Sequence, residues 1–78
     1  MKRDEAFELV DRELKRAEEK FSPLASRHEG FAVLLEEVDE LKDTIWHNKC
    51  DESVEEEATQ VAAMAIRFMV DLLRSKKY

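Results

Sequence analysis

One glycine, one proline and one cysteine in 78 residues leave this chain few ways to turn and no internal disulfide. Val, Ile, Thr and the aromatics never settle into the two-residue alternation of a strand, so a β-rich fold is excluded and an all-α chain is expected. The lone Cys50 is compatible with a reducing cytoplasm, and its surroundings predict a passive loop cysteine. Basic excess is also missing. Thirteen Lys and Arg stand against nineteen Asp and Glu, a net charge of −6. A reader of the phosphate backbone needs a basic face, so nucleic acid is not an expected partner, whereas a protein that gathers cations suits the balance. Long apolar runs are absent too. The longest, Val61 to Ile66, falls far short of the ~20 residues that cross a bilayer. No apolar stretch follows Met1-Lys2-Arg3-Asp4-Glu5. The expectation is one soluble, cytoplasmic domain over residues 1–78 that engages no membrane.

What is present is helical periodicity. Phe7, Val10, Leu14, Ala17 and Phe21 step by three and four, predicting a first helix from about Asp4 to Lys20 with one narrow apolar seam. Pro23 disfavours helical geometry at Ser22 and ends it. Ser26-Arg27-His28-Glu29 fits a capping box and starts a second helix. Phe31, Leu34, Val38, Leu41 and Ile45 form its expected core face, widened by Leu35 and Trp46. Gly30 lowers propensity in its first turn and is read as a tolerated residue, with close approach of a ligand or another backbone as the alternative. After a short connection over His47–Glu52, Ser53-Val54-Glu55-Glu56 offers another capping box, with Asp51 an alternative cap. The third helix is expected to run to about Ser75, where Arg74, Lys76 and Lys77 complement its dipole. Val54, Ala58, Val61, Ala65, Phe68 and Leu72 form one apolar stripe, while Ala63 and Val70 fall on the opposite side. A helix apolar almost all round is buried on more than one side. Two partners of this length cannot surround it. A homo-oligomer, dimer or tetramer, is expected to complete the bundle.

Glu57 breaks that pattern. It projects about 40° from the centre of the stripe at ~100° per residue, and no basic residue stands three or four positions away. A carboxylate placed there needs neutralising, pairing or a metal. Glu36, Glu37 and Glu40 project from one side of the second helix, Glu37 nearest the apolar face and Glu36 nearest solvent. Two carboxylate-bearing helices facing each other are a ready site for a hard divalent cation. Plainer accounts also exist. The acidic run is also what a solvated face of a glutamate-rich chain looks like, and Arg67 and Asp71 are spaced for an ordinary ion pair.

Glu36-Glu37-x-x-Glu40 followed by Glu57-x-x-Gln60 resembles the metal-binding signature of the all-α nucleoside triphosphate pyrophosphohydrolases, the MazG-like superfamily. The stretches His28–Leu41 and Glu57–Ala65 look like short MazG-like proteins, and the likeness covers about Ser26 to Leu73. It implies Mg²⁺-dependent (or Mn²⁺-dependent) cleavage between the α and β phosphates of a nucleoside triphosphate, releasing monophosphate and pyrophosphate. It carries over Glu36, Glu37, Glu40 and Glu57 as metal ligands, with Gln60 at a position where the family usually has Asp. Gln offers a neutral carbonyl oxygen and cannot act as a base. One of Glu37 or Glu40 is then the candidate to orient or deprotonate the attacking water. Arg67 and Lys49 are the candidate phosphate contacts. Trp46 is a candidate base-stacking residue, against the plainer expectation of a core or interface tryptophan. His28 is expected to be structural. The rivals are a non-catalytic dimerisation or nucleotide-binding module with a degenerate metal site, and a purely structural bundle in which Glu57 pairs with a basic residue of another subunit.

Overall fold

A computed structural model describes Met1–Leu73. Three helices follow one another, α1 over Arg3–Lys20, α2 over Arg27–Trp46 and α3 over Asp51–Leu72, with no strand among the described residues. The expected all-α class is what the chain adopts. The expected end of α3 at Ser75 and the basic cluster beyond it lie outside the described residues.

Local chemistry explains each element. In α1, Glu8 pairs with Arg12 at 3.1 Å, Asp11 with Lys15 at 3.0 Å and Glu13 with Arg16 at 2.6 Å. Each such pair adds only a few tenths of a kcal/mol at the surface. Phe21 leaves the helix in an extended conformation, two residues before Pro23. At the start of α2 the Glu29 amide donates to the Ser26 hydroxyl at 3.1 Å, as the capping box predicts. Glu29 departs from the box by one residue. Its carboxylate accepts from the Ala25 amide at 2.7 Å rather than from that of Ser26. α2 ends in a Schellman motif: the Lys49 amide donates to the Thr44 carbonyl, and that of Asn48 to Ile45. Asn48 is the left-handed residue that this motif requires, at φ 53°. α3 begins earlier than the Ser53 box suggests, with Cys50 in the capping position and no side-chain cap bond there. Asp51 and Glu52 in its first turn favour that start through the helix dipole. Cys50 is exposed in the α2–α3 connection.

α3 lies in the middle. α1 and α2 each pack on it and not on each other. Gly30 is the closest meeting point of α2 and α3. A Cβ there would sit 2.7 Å from both Phe68 Cδ2 and Leu72 Cδ1. So Gly30 is not merely tolerated; its missing side chain is the seat for two side chains of α3. That contact sets α2 so that Leu34 and Leu41 of its expected core face are covered and Phe31, Val38 and Ile45 are not. Gly30 is buried, and Val33, Leu34, Glu37, Leu41 and Thr44 are half-buried behind it. Phe31, Leu35, Val38, Ile45 and Trp46 are exposed. The apolar stripe of α2 is wider than one neighbour can cover, and the glycine decides which edge is covered. In α1 only Ala17 of the predicted seam is buried, and Phe7 and Phe21 are exposed. In α3, Ala63 is buried on the side opposite the main stripe, whereas Val70 and Ala58 are exposed.

The connection between α1 and α2 is tied down by two groups of α3. The Arg67 guanidinium donates to the Ser22 carbonyl at 3.0 Å, and the Leu24 amide donates to Asp71 at 2.9 Å. Arg67 and Asp71 also pair at 3.8 Å, the intrahelical pair that their spacing predicts.

Candidate metal centre

Glu37 and Glu40 occupy successive turns of α2, one turn apart as in any i, i+3 pair. The antiparallel turn through Asn48 brings Glu57, in the second turn of α3, opposite them. One carboxylate oxygen from each of Glu37, Glu40 and Glu57 lies within 4.8 Å of the others. Glu37 and Glu57 are half-buried and Glu40 is exposed. Glu36 is exposed and is not among the three whose oxygens converge.

The electrostatics of the cluster are unfavourable as it stands. Burial pushes the Glu37 carboxyl above its ordinary range, and the charges of Glu40, Glu57, Glu36 and Glu13 add to the shift. Burial likewise raises Glu57, with the close approach of Glu40 adding to it. Among the described residues, no basic side chain supplies an opposing effect at either residue. These are the conditions under which a proton or a cation is taken up.

Glu13 of α1 is a residue the sequence reasoning missed. Its side chain is only 14% exposed and is held by Arg16, whose hydrogen bonds keep its carboxyl below the ordinary range. Gln60 makes a smaller contribution in the same direction. The signal was available: Glu13 lies one turn before Ala17, on the edge of the apolar seam.

A groove of about 400 Å³ runs between α1 and α2 over the face of α3. Glu37 lies at its wall, with Glu13, Arg16, Phe21, Gln60 and Arg67 around it. A larger cleft of about 710 Å³ lies between α1 and the first half of α3, but none of Glu37, Glu40 and Glu57 lines it. Of the three carboxylates Glu37 alone lines the groove, and it is the link between the cluster and that space.

The remaining candidates fall in different places. Gln60 and Arg67 share the groove with Glu37. Arg67 is 6% exposed and already engaged by Ser22, Asp71 and the Met64 sulfur, with Phe21 stacked 5.9 Å away. Lys49 is exposed in the α2–α3 turn. Trp46 is 70% exposed at the end of α2, not a core tryptophan of this chain, with the Lys42 ammonium 6.0 Å from its ring. Neither lines the groove. His28 is exposed in the first turn of α2.

The three carboxylates fit a hard cation in kind and nearly in spacing. An octahedral Mg²⁺ holds its ligands at about 2.0–2.1 Å, which sets neighbouring oxygens roughly 3 Å apart. Carboxylates within 4.8 Å of one another reach that spacing by small rotations of flexible glutamate side chains. Compared with protein-family models, with curated protein sequences and with solved structures, the chain matches none.

Proposed function

We infer that this protein is a small divalent-cation-dependent hydrolase of nucleoside triphosphates, of MazG-like fold, completed by self-association. The convergence of Glu37, Glu40 and Glu57 from two helices, next to a groove, carries this reading. Three carboxylates by themselves repel a triphosphate. Bound Mg²⁺ or Mn²⁺ would bridge carboxylate to phosphate oxygens and lower the pKa of an attacking water.

The chain's own residues take the following parts. Glu37 and Glu57, half-buried and uncompensated, are the principal cation ligands, and Glu40 completes the triad from the solvent side. Glu36 lends charge from its exposed position and is not one of the converging ligands. Gln60 offers a carbonyl oxygen in the groove. Glu40, the most accessible of the three, is the group best placed to accept a proton from water. Arg16 is half-exposed in the groove, and Lys49 lies in the α2–α3 turn. Both are more accessible to a phosphate than Arg67, although Arg16 already bonds Glu13 through Nε and Nη2 and Lys49 lies outside the groove.

The test is hydrolysis of a panel of nucleoside triphosphates with and without Mg²⁺ or Mn²⁺, with the products separated. The expected products are monophosphate and pyrophosphate, with no diphosphate intermediate. Glu37→Gln and Glu57→Gln each remove most of the turnover, because ligands of one ion act as a unit. Gln60→Asp holds or raises it. Activity that survives Glu57→Gln places the chemistry elsewhere.

Gln60 favours a second reading, a nucleotide-binding module without turnover. Metal-dependent nucleotide binding by calorimetry, with no product even for Gln60→Asp, selects it.

A further inference from the structure

One ion pair of α1 is built differently from the other two. Arg12 reaches Glu8 through one oxygen and Lys15 reaches Asp11 the same way, with all four side chains at least 61% exposed. Arg16 grips both oxygens of Glu13. Its Nε donates to Oε1 at 3.0 Å and its Nη2 to Oε2 at 2.6 Å. The Glu13 side chain is 14% exposed, against 49% for that of Arg16. Among the described residues, Nη1 of Arg16 makes no hydrogen bond. The end of the guanidinium, Nη1 with the second N–H of Nη2, is therefore an open pair of parallel donors. That fork matches two oxygens of a phosphate. Arg16 and Glu37 line the same groove, from α1 and from α2.

We propose that Glu13 is a positioning residue: it holds the Arg16 guanidinium so that the open fork grips a phosphate of the cation-bound triphosphate. The proposal rests on the hydrolase reading and adds how this chain supplies a phosphate clamp. An arginine on a solvated helix loses conformational freedom when it is ordered by a ligand. Holding it beforehand removes that cost, but an ordinary surface pair is too loose to do so. Here burial fixes the Glu13 carboxylate. Arg16 keeps its carboxyl below the ordinary range in spite of that burial, so the pair persists at neutral pH. The unit is also neutral overall. An unpaired carboxylate in the groove repels a phosphate, whereas this one is bonded to its partner, and the more exposed member is the donor. Arg67, the other guanidinium of the groove, is buried and tied to the Ser22 carbonyl. Arg16 is thus the accessible fork in that space.

The experiment is calorimetric titration of the full chain with inorganic tripolyphosphate in millimolar Mg²⁺, alongside steady-state turnover of a nucleoside triphosphate. Arg16→Ala is expected to weaken tripolyphosphate binding about tenfold. Glu13→Gln reproduces most of that loss, although it removes a negative charge from the groove, and adds nothing in the Arg16→Ala background. In turnover both variants raise KM and leave kcat nearly unchanged. Binding that Glu13→Gln leaves intact or tightens overturns the proposal. So does an equal loss when Arg16 is already alanine, or a loss confined to kcat. Arg16→Lys keeps the charge on a half-exposed residue but lacks the fork, so it decides should Glu13→Gln fail to fold. Binding weakened about fivefold supports the clamp, and undiminished binding overturns it. Metal-dependent binding that no Arg16 variant disturbs removes the clamp and leaves the hydrolase reading standing. A wild type that binds neither tripolyphosphate nor any nucleoside triphosphate overturns both.

Discussion

Gly30 shows how one missing methyl group orients a helix. Gly→Ala in a helix interior gains about 0.5–1 kcal/mol from backbone entropy. Here the added Cβ lands 2.7 Å from Phe68 and Leu72, and overpacking of this kind costs typically 1–3 kcal/mol. The second effect wins. Gly30→Ala is expected to lower stability by ~1 kcal/mol in urea unfolding, against the gain that propensity alone forecasts. Arg67 is a second residue whose role is set by its partners. Its guanidinium is 6% exposed and bonds the Ser22 carbonyl, so Arg67→Ala removes one of the two ties on the α1–α2 connection and leaves Asp71 with the Leu24 amide alone. A loss of about 2–3 kcal/mol is expected from an interaction buried to this degree. Proteolysis should then begin near Pro23. Unchanged urea midpoints for Arg67→Ala would show that the connection is held some other way.

At the level of elements, the tight α2–α3 turn sets the site. It depends on Asn48 at φ 53°, a conformation that costs a branched residue far more than it costs Asn or Gly. Asn48→Gly is expected to be neutral or stabilising by up to ~0.5 kcal/mol, and Asn48→Val destabilising by ~1 kcal/mol, in thermal melts. Three helices and their approximate ends were legible in the sequence because apolar spacing, Ser26 and Pro23 are local signals. Glu57 opposite Glu37 and Glu40 was legible too, since a carboxylate inside an apolar stripe has few places to go. The rotation of α2 was not. Its stripe spans Phe31, Leu34, Leu35, Val38, Leu41 and Ile45, which fit several orientations, and the choice was made by Gly30 across the interface. Glu13 was hidden for the same reason. Its place beside the groove depends on how α1 lies on α3, and its own helix offers Arg16 as a sufficient partner.

For the whole molecule, the acidic centre should write itself into the pH dependence of stability. Glu37 and Glu57 have folded pKa values raised above the ordinary 4.5. A raised carboxyl stabilises the fold in full below its unfolded pKa, and that contribution disappears as pH rises through the folded value. The metal-free protein should therefore gain stability as pH falls from 7 toward about 4.5. Glu13 works the other way. Its pKa is lowered by Arg16, so its contribution is lost only as pH falls through its folded value, below 4.5. Melting temperature should then pass through a maximum near the ordinary carboxylate range. Relief of the general charge of −6 tilts the curve the same way, so the slope must be assigned by variants. Glu57→Gln removes a cluster charge and Glu55→Gln an exposed charge outside the cluster. Glu57→Gln should flatten the rise between pH 7 and 5 and raise the melting temperature at pH 7, whereas Glu55→Gln should do little. Millimolar Mg²⁺ or Mn²⁺ should stabilise the wild type at pH 7 beyond ionic-strength-matched NaCl, and less at pH 5, where protons compete for the same oxygens. Glu57→Gln should lose most of that difference. Parallel pH curves for the two variants, with equal shifts in both salts, would reduce the three glutamates to a solvated acidic edge.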